Sequence, residues 1–519
     1  MRSYFVSAFF AILLGACSAL SQPTPTPSAT ATSRPTATPA PTDTTTPTPT
    51  VTNTVPPSST PTATATFTAT HTFTPSPTPT ITPYPAVGFV FDNWVLADIP
   101  DNVKDGISNP MVVFLNTNNQ QTIANIATAQ PNTGIQTLYL VPPTNPGARI
   151  PILELASNTR LEVFLAKPGN ALAFIKRDEQ RRSNGLYILD LSTGFAARVL
   201  PGDSPLVQRG FYIEPDWSPD GSQLAMSVTT GYDIDIFLYA KDGSGRRNIT
   251  NLGSYDLWPR WSPDGRYIAF VSDRADCPSW IPGEENACDA AAMPPPTEGN
   301  VYVLEVETDT IKKLSDVNVS EPPYWINERL LAFASGNPLD LLDPRRRIWR
   351  ANIVTGDITE MRPGDGSASA SYLSEAWSPD GQTVLLQVAD ETNQLILLAA
   401  DGAILRQDAD LDFPRFGMSA SWSPDGERIA IGGTAGQCPY GVRVKAGTYR
   451  NIATGNPPPS MCDPMFSPDS QYIAFSGVNP RVDGRNDVYV ANYNGFGSVN
   501  MTAALRGQME LLGWVGGTP

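Results

Sequence analysis

The sequence predicts an all-β fold, a β-propeller of four-stranded blades following a disordered Thr/Pro-rich stalk. Two observations carry the prediction. The string Trp-Ser-Pro-Asp-Gly occurs at 217–221, 261–265, 377–381 and 422–426, and a variant, Phe466-Ser-Pro-Asp-Ser470, follows. The steps from aromatic to aromatic are 44 (217 to 261), 45 (377 to 422) and 44 (422 to 466), with longer steps where insertions fall. A recurring period of ~20–50 residues marks a repeat architecture, and four short strands in ~40–45 residues describe a propeller blade.

Each unit is read as strand, tight turn, strand. Pro presets φ in the turn, Asp can bond the neighbouring backbone, and Gly accepts positive φ. Alternating apolar residues follow at a fixed offset, as in Leu224-Ala225-Met226, Ile268-Ala269-Phe270 and Ile473-Ala474-Phe475, which is the pattern of a strand. A third strand is predicted at Asp235–Tyr239, Val301–Leu304 and Asp487–Val490, and a short fourth strand at Arg247–Thr250 and Ile311–Leu314. Degenerate copies align at Trp325 with Leu331-Ala332-Phe333, and at Leu165 with Leu172-Ala173-Phe174. Eight blades are expected, with seven as the alternative. The eighth is built from Val112–Leu115, Leu138–Val141 and Ile150–Leu155, and Leu511–Trp514 closes the ring as its first strand.

The N-terminal part is a different material. Residues 1–16 read as a secretory signal, with Arg2 ahead of a short apolar run. They end in Leu14-Gly15-Ala16-Cys17, which resembles the lipobox of bacterial lipoproteins. That resemblance implies cleavage before Cys17, lipidation of its thiol and attachment to a bacterial membrane. Residues 17–85 are the linker, and in 22–85 Pro and Thr account for 41 of 64 positions (16 and 25). Such a tract cannot bury a core, and at ~3.1 Å per residue it could reach on the order of 200 Å. The propeller is assigned to 86–519.

The repeats of residues 160–515 resemble the WD40-like repeats of TolB and of the propeller domains that precede prolyl-oligopeptidase-type hydrolases. The resemblance implies a propeller scaffold and says little about activity. Relatives with an appended catalytic domain continue far past the propeller, so a propeller without that domain is expected here.

Charge and composition narrow the functional classes. The net charge is −16, from 35 Lys+Arg against 51 Asp+Glu, which argues against nucleic acid, whose binding needs a basic surface. The single histidine, His71, lies in the stalk, so imidazole catalysis and histidine-ligated metal have no residue in the propeller. No Gly-x-Ser-x-Gly elbow occurs. We expect no cofactor, no metal, no catalytic residues and a monomer.

Setting Cys17 aside, four cysteines remain: Cys277, Cys288, Cys438 and Cys462. An even count in an exported chain favours disulfides. Three connectivities are open, and the two local ones, Cys277–Cys288 and Cys438–Cys462, are expected. The first would staple an insertion at Asp273–Glu298, and a neighbouring long loop carries Arg345-Arg346-Arg347. Glu214, Trp258, Glu321 and Glu375 precede the repeat aromatics and are expected to ring the channel mouth, where three carboxylates would favour a cationic partner. The expectation is a non-catalytic platform for a protein, peptide or glycan. Its alternatives are a carboxylate-based glycosidase or lyase, and an envelope-assembly component similar in role to TolB.

Overall fold

In the computed structural model the described residues are 94–95, 103, 107–118, 134–157, 161–177, 184–202, 214–289, 298–336, 346–362, 372–388, 394–408, 418–433, 443–446, 448–451, 460–478 and 485–517. All belong to one unit that takes in Tyr84–Pro519. The signal, Cys17 and the stalk lie outside the described residues.

The strands form antiparallel meanders. The first sheet joins β1 (Trp94–Val95), β2 (Met111–Asn118), β3 (Gly134–Val141) and β4 (Ile150–Ser157) in the order β1-β4-β3-β2. The second holds β5 (Glu162–Leu165), β6 (Ala171–Lys176), β7 (Gly185–Asp190) and β8 (Phe195–Pro201). The third holds β9 (Asp216–Trp217), β10 (Gln223–Thr229), β11 (Ile234–Ala240) and β12 (Arg247–Asn248). The fourth holds β13 (Asp256–Trp261), β14 (Tyr267–Ser272), β15 (Asn300–Glu305) and β16 (Thr310–Lys313). The fifth holds β17 (Tyr324–Trp325), β18 (Leu330–Ser335), β19 (Arg347–Asn352) and β20 (Ile358–Glu360). The sixth holds β21 (Tyr372–Trp377), β22 (Thr383–Val388), β23 (Leu395–Ala399) and β24 (Ile404–Asp408). Two further meanders share one sheet: β25 (Met418–Trp422), β26 (Ile429–Gly433), β27 (Arg443–Ala446) and β28 (Thr448–Asn451), then β29 (Ser460–Phe466), β30 (Tyr472–Val478), β31 (Asn486–Asn492) and β32 (Val499–Asn500).

The last strand, β33 (Gln508–Val515), pairs antiparallel with β2, from Met111 opposite Val515 to Thr117 opposite Gln508. The C-terminal strand thus completes the N-terminal sheet, as the sequence predicts, and removes a sheet edge open to other chains. Counted as hydrogen-bonded sheets, the described residues make a seven-bladed propeller. Counted as repeat units there are eight, because the parallel pairing of Gly433 with Cys462 fuses two meanders into one sheet. The strands expected for an eighth blade, β2, β3 and β4, are present, yet the blades number the seven of the alternative, because the 418–451 and 460–500 meanders form one sheet.

Most second strands are covered on both faces by neighbouring sheets and read as continuous apolar runs, while the third strand β19 carries Arg347, Arg350 and Asn352. Every residue of β6 and β7 is buried. The phenylalanine of the second strand lies opposite a third-strand tyrosine in four sheets, with rings stacked: Phe114–Tyr139 at 5.3 Å, Phe174–Tyr187 at 5.2 Å, Phe270–Tyr302 at 5.8 Å and Phe475–Tyr489 at 5.6 Å. Cross-strand aromatic pairs of this kind add to sheet stability beyond their buried area.

The turns form as their chemistry predicts. In the 217–221 copy, Asp220 Oδ1 accepts from Ser218 Oγ (2.6 Å) and Ser222 N (3.0 Å), while Ser218 Oγ accepts from Gln223 N (2.9 Å). Gly221 has φ of 68°, a conformation that L side chains adopt only with strain. The repeated aspartates are therefore turn groups.

Candidate functional site on the loop-bearing face

In an antiparallel meander, second-to-third strand connections and sheet-to-sheet connections leave by the same end. Among the described residues, that end carries the insertion that follows β14. Cys277 and Cys288 are joined by a disulfide, as expected. Cys462 is also disulfide-bonded, and Cys438, its expected partner, lies outside the described residues.

The stapled segment is fastened to the scaffold at several points. Trp280 N donates to Gly253 O (2.7 Å), and Cys288 N donates to Ser279 O (2.7 Å). Gly253 is needed for this approach, since a Cβ there would lie 2.2 Å from Ser279 Oγ. The Trp280 indole is buried, with its Nε1 donating to Asp273 Oδ2 (2.7 Å) and its ring centroid 5.5 Å from that of Tyr255. Asp273 Oδ1 accepts from Tyr255 N (2.7 Å). Beneath them Arg274 Nη2 donates to both oxygens of fully buried Asp256, at 2.7 and 2.8 Å. The Arg274 guanidinium also lies over the rings of Phe270 and Tyr302, at 5.2 and 5.0 Å.

Four carboxylates gather under this face: Asp233, Asp235, Asp256 and Asp273, all buried. Burial pushes Asp235 up to about 6 against the hydrogen bonds it accepts from Asn248 and Leu252 N, and nearby Asp256 and Asp233 push the same way. Asp273 is likewise raised to about 6, by burial first, against bonds from Trp280 and Tyr255 N. Burial also raises Asp233. Among the described residues no group of three or more His, Cys, Asp or Glu side chains is arranged to hold a metal ion.

The expected rim residues are each placed separately. Glu214 pairs with Arg260, whose Nη1 also donates to the Glu214 carbonyl (3.0 Å). Glu321 pairs with Arg346 (3.2 Å). These guanidinium partners offset the negative funnel that the sequence suggests. Glu375 lies in β21 opposite Leu386 and is half-buried. Trp258 does not stand at a rim: it is 2% exposed, with φ of 54°. A register shift between Leu257 and Arg260 turns it into the core. The Arg345–Arg347 run is not a basic patch where described, since buried Arg346 holds Glu321 and Arg347 holds Glu360 (3.4 Å).

What the sequence reasoning passes over is the turn between β10 and β11. Tyr232, at its tip, is 63% exposed, and Leu252, beside the insertion, is 44% exposed. Ile234 N donates to Ser254 O (3.2 Å), which ties that tip to the segment beneath Trp280. The available signal was an aromatic after Gly231 in an otherwise polar turn.

Residues 146–280 match the family model described as the TolB beta propeller domain. That stretch of the propeller is of TolB type. A TolB homologue of Chlorobium luteolum is 32% identical over 128 residues, covering 25% of this chain and 27% of the relative. A Bacillus subtilis protein described as the uncharacterized peptidase YuxL is 24% identical over 286 residues, 53% of this chain and 31% of the relative. This chain therefore spans under a third of the length of these curated relatives. Among solved structures, an oligogalacturonate lyase in complex with manganese is similar with a TM-score of 0.40 and 16% identity, covering 74% of this chain and 97% of that one.

One expectation is overturned by these relatives. Absence of enzymatic activity does not follow when a relative matched over 286 residues is described as an uncharacterized peptidase. A single histidine excludes imidazole chemistry only, and leaves carboxylate, hydroxyl and Lys chemistry untouched.

Proposed function

We propose that this chain is an extracytoplasmic recognition protein. Its TolB-type propeller takes a basic protein or peptide on the face bearing Tyr232, Leu252 and the stapled 273–289 segment. One observation carries the reading. Asp276, Glu284, Glu285 and Asp289 are all exposed on that segment, while its only cation, Arg274, is tied to Asp256. A rigid acidic edge beside an exposed tyrosine suits an aromatic anchor with a charged rim. Glycans, which carry no cations as a rule, fit this edge less well.

The disulfides agree with an oxidising compartment. A signal at 1–16, lipidation at Cys17 and the 17–85 stalk would hold the propeller away from a bacterial membrane. Such an anchored platform is also compatible with an envelope-assembly role.

Affinity capture after crosslinking on the producing cells, with the intact chain and with Tyr232→Ala/Glu284→Lys/Glu285→Lys, tests the proposal. A basic partner, captured by the intact chain, released by salt and lost in the variant, is the expected result. A partner retained equally by the variant removes this face from the reading.

A second reading is favoured by the relative described as a peptidase. In it the same face admits substrate to carboxylate-based hydrolysis. Turnover of a peptide or polysaccharide panel, abolished by one carboxylate substitution with folding intact, would establish it.

A further inference from the structure

First-to-second and third-to-fourth strand turns leave by the face opposite the stapled segment. Between the fifth and sixth sheets that face holds a cavity of about 290 Å³, lined by Asn327, Arg329, Leu330, Arg350, Asn352, Asp357, Thr359 and Gln382. Its volume is near the lower end of small-molecule sites, ~300 Å³. We propose that this cavity binds a polyhydroxylated monocarboxylate the size of one acidic sugar, with its carboxylate on Arg350 and Arg329.

The charge balance supports the carboxylate. Arg350 lies in β19 between Ala332 of β18 and Thr359 of β20, and reaches across to the next sheet, where its Nη1 donates to Gly381 O (2.8 Å). It is half-buried, and no carboxylate within ion-pair distance accompanies it among the described residues. Burial alone holds it below the usual guanidinium range. A desolvated guanidinium without a counter-ion is an anion receptor, and its planar fork matches a carboxylate. Arg329 adds a second, exposed cation at the mouth. Asp357 is the one carboxylate of the lining, and its Oδ2 accepts from Thr355 Oγ1 (2.7 Å). The lining thus carries one net positive charge, which suits a monoanion better than a phosphate dianion.

The remaining groups suit hydroxyls. Asn352 uses its Oδ1 on Val354 N (2.9 Å) and Thr355 N (3.2 Å), which leaves its amide hydrogens as donors. Thr359 Oγ1 can donate or accept, Gln382 Oε1 can accept, and Asp357 Oδ1 can accept. Leu330 supplies one apolar wall for the CH face of a ring. Asn327 is a framework residue: its Oδ1 accepts from Arg329 N and Leu330 N (both 3.0 Å), and its Nδ2 reaches Pro379 O (3.3 Å).

The site lies apart from the acidic face, so its fate is independent of the function proposed above. Calorimetric titration of the full chain with D-glucuronate tests it, with D-glucose and inorganic phosphate as comparison ligands. Saturable glucuronate binding is expected, with glucose and phosphate each at least about tenfold weaker. Charged hydrogen bonds of ~1.5–3 kcal/mol correspond to about tenfold or more, so Arg350→Gln and Arg329→Gln should each weaken glucuronate by at least that factor. Arg350 also joins two sheets, so Arg329→Gln and Thr359→Val, whose side chains brace nothing, decide the matter if Arg350→Gln unfolds. No saturation by the unaltered chain overturns the proposal. So does glucose or phosphate matching glucuronate, or full affinity in Arg329→Gln and Thr359→Val with unchanged melting.

Discussion

The indole Nε1 of Trp514 donates to the carbonyl oxygen of Met465 at 2.9 Å, joining the closing strand to the unit before it. The same bond recurs around the ring: Trp217 to Phe164 (3.0 Å), Trp325 to Arg260 (2.9 Å) and Trp422 to Ala376 (3.1 Å). Each acceptor is the residue just before the equivalent repeat position of the preceding unit. In these four units the tryptophan is therefore a stitch between neighbours; Trp261 and Trp377 do not make the bond among the described residues, and Phe466 has no donor to make it.

Replacing these tryptophans by Phe keeps most of the buried area and removes the donor from a part-buried carbonyl. A loss of ~1–3 kcal/mol is expected for Trp217, Trp325, Trp422 or Trp514. Trp261 and Trp377 have no partner for Nε1 among the described residues, so Trp261→Phe and Trp377→Phe should cost less. Guanidinium denaturation of the six variants measures the contrast, and equal losses in both groups would remove the stitch as a source of stability.

Reduction of Cys277–Cys288, or the Cys277→Ser/Cys288→Ser pair, should loosen one loop and leave the ring intact. The chain-entropy model gives ~2–3 kcal/mol for closing a loop of this size. Amide exchange is expected to rise across 277–289 and around Gly253, whose carbonyl accepts from Trp280 N. Exchange in β6 and β7 should not change; a propagated loss there would mean the staple supports the core.

Asp235 and Asp273 titrate near 6 when folded, above the ordinary carboxylate value of 3.8. Between about pH 4 and pH 6 the folded chain therefore binds more protons than the unfolded chain. Stability from these two groups is present at the acid end and is lost as pH rises through 6. Asp220 and Asp425, held low by bonds such as those from Ser218 and Ser423, act in the opposite sense at lower pH. Melting scans of the unaltered chain and Asp235→Asn check the sign: the destabilisation on going from pH 5 to pH 8 should shrink in the variant. A larger drop in Asp235→Asn would contradict it.

Removing Gln508–Pro519 would strip β33 from β2 and expose Met111–Thr117 as an edge. It would also delete the Trp514 stitch. Oligomers or aggregates in light scattering are expected, because an open apolar edge pairs with other chains. A monodisperse monomer with unchanged melting would show that ring closure contributes little.

The units and their turns were legible because each depends on residues close in sequence, and the closing strand because it repeats a first strand with no unit after it, although its partner β2 lies at the other end of the propeller sequence. Ser218 and Asp220 bond within their own turn, and short apolar runs bounded by turn residues show where the inner strands lie. The same locality made the Cys277–Cys288 bridge accessible, its cysteines being 11 residues apart. Enzymatic potential was misjudged because a histidine count tests one kind of chemistry only.

The other features depend on neighbours distant in the chain. Trp258 is core rather than rim because a bulge in β13 shifts its register, and no local pattern marks a bulge. Arg346 meets Glu321 and Arg260 meets Glu214 across separations of 25 and 46 residues, so charges that seem free in sequence are paired in space. The cavity around Arg350 exists only because the 327–330 and 378–382 turns come from adjacent sheets. Sequence by itself determined the repeat, since backbone geometry and turn chemistry are local. Which side chains are buried, paired or left for a ligand was decided by how the repeats meet around the ring.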